Sequence, residues 1–74
     1  MLSDEIKYIR QKSFLSQADF AKQLKVSYST VNRWETGKSK PNLIAIKALS
    51  DFCTNNNISF VNLEREWFAL NKKN

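Results

Sequence analysis

A chain of 74 residues with no His, one Cys, one Gly and one Pro has room for one small core, hiding about 60% of its surface on folding. That composition excludes a disulfide framework, a multi-ligand zinc site and the Ser–His or Cys–His pairs of nucleophilic catalysis. The net charge is +5, and residues 22–47 carry the whole surplus: Lys22, Lys25, Arg33, Lys38, Lys40 and Lys47 face only Glu35, while the flanking segments balance.

Scarce Gly and Pro argue against an all-β fold, and no apolar run approaches the length that spans a bilayer. The first helix is expected after Ser3 as N-cap, with Asp4 and Glu5 at the positive end of its dipole and Leu2, Ile6 and Ile9 on one face. A second start is written at Ser16, where Asp19 can complete a capping box and Leu15 and Phe20 a hydrophobic staple. Phe20, Ala21 and Leu24 mark the buried side of that short helix. Lys25 and Val26 lead to Ser27, a further N-cap, with Val26 and Val31 repeating the staple. Val31 and Trp34 face inward on the third helix, which Gly37 stops in the left-handed conformation. Pro41 and Asn42 punctuate the chain before a fourth helix with Ile46, Leu49 and Cys53 on its apolar face and Leu43, Ala45 and Phe52 nearby. After Asn55–Asn57, Ser59 is expected to cap a last helix in which Phe60, Leu63, Trp67 and Leu70 recur at helical spacing. The predicted fold is all-α, a compact five-helix bundle in one domain over residues 1–74, with a helix-turn-helix at about 16–36 formed by helices two and three.

On the third helix, Tyr28, Ser29, Asn32 and Arg33 fall together on the side opposite Val31 and Trp34. Arg can bond the two acceptors of guanine, Asn can bond adenine bidentately, and Tyr or Ser can serve base or phosphate. A helix of roughly 10–12 Å diameter fits a major groove of similar width. A polar exposed face is also what any solvated helix shows. The short turn, the doubled caps and the charge surplus in the same segment favour the DNA reading. Lys38 and Lys40, just past the helix, are the expected phosphate cations, ahead of Lys22, Lys25 and Lys47. Gln17, at the first position of the second helix, has a backbone N–H with no intrahelical partner, which can point at a phosphate. Its side chain could reach towards the start of the third helix, or be an ordinary surface Gln.

The segment from Leu15 to Pro41 resembles the helix-turn-helix of the phage repressor and Cro (XRE-like) family. The likeness rests on Ser16-Gln17, the small Ala21 at a helix crossing, the apolar set Phe20, Leu24, Val26, Val31 and Trp34, and Trp34-Glu35-Thr36-Gly37-Lys38 with Pro41 beyond. It implies a lambda-repressor-like bundle whose third helix lies in the major groove of double-stranded DNA. Tyr28, Ser29, Asn32 and Arg33 would read bases, and Gln17, Ser27, Thr36, Lys38 and Lys40 would meet the DNA backbone. The resemblance also implies a structural pair between Arg10 and Glu35. Lys25 stands where the family usually has Gly, at a cost of about 1 kcal/mol if its backbone is left-handed.

The expected function is a repressor-type transcriptional regulator acting in the cytoplasm at the nucleoid, in a bacterial or phage setting. The acidic start and the single unpaired Cys53 agree with that location. Two copies would set their third helices about 34 Å apart on a pseudo-palindrome. Val61 and Phe68, apolar positions beyond one buried stripe, are the candidate dimer surface. No enzyme activity, cofactor, metal, membrane contact or small-molecule ligand is expected. The alternatives are a DNA-targeting module of a longer protein or of a toxin or methyltransferase system, and a protein-interaction module that has lost DNA. In the first, Lys72-Lys73-Asn74 would be a chain end or the start of a linker.

Overall fold

Five helices follow one another in the computed structural model, which describes residues 1–71: α1 (Leu2–Lys12), α2 (Gln17–Leu24), α3 (Tyr28–Glu35), α4 (Leu43–Asn55) and α5 (Val61–Asn71). Lys72, Lys73 and Asn74, read above as a chain end or linker start, lie outside the described residues. Three starts are fixed by side-chain caps. The N–H of Asp19 donates to Ser16 Oγ at 3.1 Å, that of Thr30 to Ser27 Oγ at 3.1 Å, and that of Ala45 to Asn42 Oδ1 at 2.9 Å. Each bond satisfies one of the N–H groups that the first turn leaves orphaned.

The start of α1 differs from the sequence reading, and one cap is simpler than expected. The first helix begins at Leu2, so Ser3 lies inside it, and the Met1 carbonyl accepts the Glu5 N–H at 3.1 Å. Starting the helix two residues earlier places Leu2 in line with Ile6 and Ile9, and all three are buried. Burying a Leu side chain is worth about 2 kcal/mol, more than a typical cap. At α2 only half of the capping box forms, because among the described residues the Asp19 carboxylate returns no bond to Ser16. Asp is one methylene shorter than the Glu or Gln that closes such a box.

Four helix ends share one geometry. Residues Phe14, Lys25, Gly37 and Asn57 all have left-handed backbones, with φ of 59°, 60°, 78° and 56°. After each, the next N–H returns to a carbonyl five residues back: Leu15 to Arg10, Val26 to Ala21, Lys38 to Arg33, and Ile58 to Cys53. These are Schellman endings, and only one of the four uses Gly.

One cluster of buried side chains joins all five helices: Leu2, Ile6 and Ile9 of α1, Phe20, Ala21 and Leu24 of α2, Val31 and Trp34 of α3, five residues of α4, and Leu63 and Trp67 of α5. Phe20 and Phe52 meet edge to face at 5.2 Å, tying α2 to α4. The Trp67 indole N–H donates to the Pro41 carbonyl at 2.7 Å and fastens α5 to the loop between α3 and α4. Cys53 is buried, and burial pushes its thiol up to about 11, so it serves as a small apolar filler. The Cα radius of gyration, 11.3 Å, equals the roughly 11 Å expected of a compact chain of this length.

Leu43 and Leu70 depart from the expected core. Leu43 is 71% exposed because it sits roughly 120° around α4 from Leu49, the centre of the buried stripe. Leu70 shares the inward side of α5 but lies beyond the end of the core, half exposed over a shallow hollow of about 320 Å³ beside Met1 and Leu2. Phe60 packs against the cluster only in part and precedes α5, its carbonyl accepting the Glu64 N–H at 2.9 Å, while Ser59 Oγ accepts the Val61 N–H at 3.3 Å. Among the described residues no helix is long and apolar enough to cross a membrane.

Candidate nucleic-acid interface

The turn between α2 and α3 consists of Lys25, Val26 and Ser27. Val26 is half-buried against the core and Ser27 caps α3, which fixes the angle at which α3 leaves the bundle. Val31 and Trp34 then point inward, at 0% and 3% exposure, so the helix can present only its other side. On that side Tyr28, Ser29 and Arg33 are exposed and Asn32 is half-buried. Arg33 makes a single long contact, Nη2 to the Lys38 carbonyl at 3.5 Å, and most of its donors face solvent.

Beneath this face lies a network linking three helices. Arg10 Nε donates to Glu35 Oε2 at 2.7 Å and its Nη2 donates to Glu35 Oε1 at 3.0 Å, while Nη1 donates to the Leu15 carbonyl at 2.9 Å. The two side chains are 14% and 3% exposed. The hydrogen bond to Glu35 raises the Arg10 pKa above its ordinary value, with burial opposing and the charge of Glu35 adding to the rise. Arg10 is therefore cationic at any pH the fold meets. Gln17 completes the network: its Nε2 donates to Glu35 Oε1 at 3.0 Å and its Oε1 accepts from Asn32 Nδ2 at 3.2 Å. The side chain thus reaches the middle and end of α3 rather than its start.

The other candidate residues have these places. Ser27 Oγ holds the Thr30 N–H and lies 2.8 Å from the Thr30 hydroxyl. Thr36 Oγ1 donates back into α3, to the Asn32 carbonyl at 2.9 Å. Lys38 and Lys40 are exposed and, among the described residues, take part in no ion pair. Lys47 lies 3.7 Å from Asp51 in an exposed pair, which spends part of its charge within the chain. With Glu35 held by Arg10, the cations of residues 22–47 that, among the described residues, take part in no ion pair are Lys22, Lys25, Arg33, Lys38 and Lys40. Lys25 and Lys40 also line a groove of about 620 Å³ between the helix-turn-helix and the start of α4, away from Tyr28, Ser29, Asn32 and Arg33. Val61 and Phe68 are 54% and 58% exposed on α5.

Sequence reasoning missed both bonds of Gln17, the one it donates to Glu35 and the one it accepts from Asn32. The signal existed in part, since a long amide at the first turn of α2 faces α3 across a short turn. What it lacked was the angle between α2 and α3, which sets Gln17 between Glu35 and Asn32.

The family model described as helix-turn-helix matches residues 6–54, two thirds of the chain. The HTH-type transcriptional activator BcrR of Enterococcus faecalis is 34% identical over 50 residues, covering 68% of this chain and 24% of that protein. The chain thus spans about a quarter of the length of the curated relative it matches. No solved structure matches it. On the family match, the helix-turn-helix geometry and the capped turn that produces it, the chain belongs to the phage repressor and Cro-like (XRE-like) helix-turn-helix family.

Proposed function

We propose that this chain binds double-stranded DNA in a sequence-specific way and serves transcriptional regulation, with α3 lying in the major groove. The observation that carries this reading is the single polar face of α3, where Tyr28, Ser29, Asn32 and Arg33 stand together beside the solvent-facing cations. Arg33 is assigned to guanine, with Tyr28, Ser29 and Asn32 supplying the remaining base contacts. Lys38 and Lys40 supply salt-dependent phosphate attraction, assisted by Ser27, Thr36 and the α2 N-terminus at Gln17. Ser27 can donate its hydroxyl proton to a phosphate when the Thr30 hydroxyl donates to Ser27, whereas Thr36 has given its one proton to the Asn32 carbonyl and must release that bond to reach a phosphate.

The regulator is read as repressor-type, cytoplasmic and homodimeric, with Val61 and Phe68 at the subunit contact and residues 1–74 forming one DNA-binding domain. A second reading, the DNA-targeting part of a longer regulator, is favoured by the match to a protein about four times as long as the matched segment.

The test compares two substitutions on cognate and random duplexes. Arg33→Ala is expected to cost about 1–3 kcal/mol on the cognate site and to relax one base position, whereas Lys38→Ala weakens every duplex alike and lowers the salt slope by about one. Equal losses on cognate and random DNA for Arg33→Ala remove its assignment as a base reader.

A further inference from the structure

The network beneath α3 has a direction. A carboxylate receiving Arg10 donors on both oxygens can only accept further bonds. Gln17 must therefore turn its amide nitrogen towards Glu35, as it does at 3.0 Å. Its carbonyl oxygen is then the group facing Asn32, and an oxygen can only be met by a donor. Asn32 accordingly supplies Nδ2, at 3.2 Å. The two amides have no freedom left: reversing either one sets oxygen against oxygen or nitrogen against nitrogen. Among the described residues, Asn32 Oδ1 and the second Nδ2 proton form no other bond.

From this polarity we infer that Gln17 is a positioning residue that transmits the orientation of the Arg10–Glu35 pair to Asn32 and so commits Asn32 to adenine. The inference rests on the DNA-binding reading above. Adenine offers the major groove an acceptor, N7, beside a donor, N6, which match the free N–H and Oδ1 of an amide held in one orientation. Guanine offers two acceptors, so a fixed Asn32 would lose one bond and set Oδ1 against O6. A free amide escapes that penalty by turning its NH2 towards guanine or its oxygen towards the cytosine amino group. Locking the amide removes the escape, so the selectivity comes from a group that itself need not touch a base. Held in place before binding, Asn32 also has less side-chain freedom to lose on contact.

Gln17→Met keeps the length and packing of the side chain while removing both polar ends. In a selection of bound sites from random duplexes, the unaltered chain is expected to prefer adenine at the Asn32 position by about tenfold. Gln17→Met is expected to lose most of that preference while the other positions keep theirs. A uniform fall in affinity for all duplexes with the adenine preference intact would overturn the inference and make Gln17 a phosphate contact. A measurement on the unaltered, DNA-free chain separates the network from its use. The two Asn32 side-chain amide protons should differ in solvent exchange, the one bonded to Gln17 being slower, and become equivalent in exchange in Gln17→Met. Equal exchange in the unaltered chain overturns the relay whatever DNA does. A slow proton in a chain that binds no duplex leaves the relay standing and removes its role in base selection with the DNA reading.

Discussion

Lys25 and Phe14 hold backbone conformations that a side chain makes costly, and nothing in either side chain repays the cost. Phe14 is 95% exposed, so its ring gains no burial. The compensation lies one residue further on, where Leu15, Val26 and Ile58 turn inward against the core after Phe14, Lys25 and Asn57. A left-handed residue lets the chain reverse and deliver the next apolar side chain to the interior, which is the hydrophobic contact typical of this ending. The strain is thus local and removable. Lys25→Gly and Phe14→Gly should each raise stability by about 0.5–1 kcal/mol in urea unfolding, relief of the left-handed cost being partly cancelled by the greater freedom of Gly when unfolded. At this scale the sequence was half legible. Gly37 announces its own backbone, and Lys25 is marked by the resemblance, since it stands where the family usually has Gly. Phe14 carries no sign of its conformation, because the requirement comes from where Leu15 must go.

Between elements, the Arg10–Glu35 pair does what apolar packing does elsewhere in the bundle, since it holds α1 to α3 across 25 positions of sequence. Removing one partner strands the other in a half-dry site with its bonds unmet. Glu35→Ala should destabilise the chain by about 3 kcal/mol, whereas Arg10→Met combined with Glu35→Leu should cost clearly less than the single change. Thermal unfolding of the three variants decides this, and a double variant as unstable as Glu35→Ala would contradict the desolvation argument. The starts of α2, α3 and α4 could be read directly from Ser16, Ser27 and Asn42, because a cap is a local contract between a side chain and the third N–H beyond it. The start of α1 could not, because the gain from burying Leu2 depends on α5 and α3 being there to cover it. Leu43 failed for a similar reason: a four-residue apolar run on a helix must spill past any one face, and composition does not say which residue is left out.

At the scale of the whole molecule, two apolar surfaces among the described residues differ in kind. One is the pair Leu43 and Ile44 at the beginning of α4, 71% and 82% exposed. The other is the outer side of α5, where Val61 and Phe68 are exposed and the Phe68 ring leans edge-on against buried Trp67 at 5.2 Å. The proposed dimer uses the second. Sedimentation at micromolar concentration should show self-association that Phe68→Glu abolishes without loss of helical content. A monomer for the unaltered chain, with and without DNA, would remove the dimer from the proposal.

The bond from Trp67 to the Pro41 carbonyl bears on where the unit that folds comes to an end. The recognisable family pattern stops at residue 54, before α5 begins. Yet Leu63 and Trp67 are part of the same buried cluster as α1, and Trp67 holds the loop that carries Lys38 and Lys40 to the site. A segment cut to the family boundary would keep every proposed base reader and lose the wall behind them. What is shared as a pattern across the family is therefore smaller than what must cohere as a body, and this chain closes the gap with one aromatic side chain from beyond the motif.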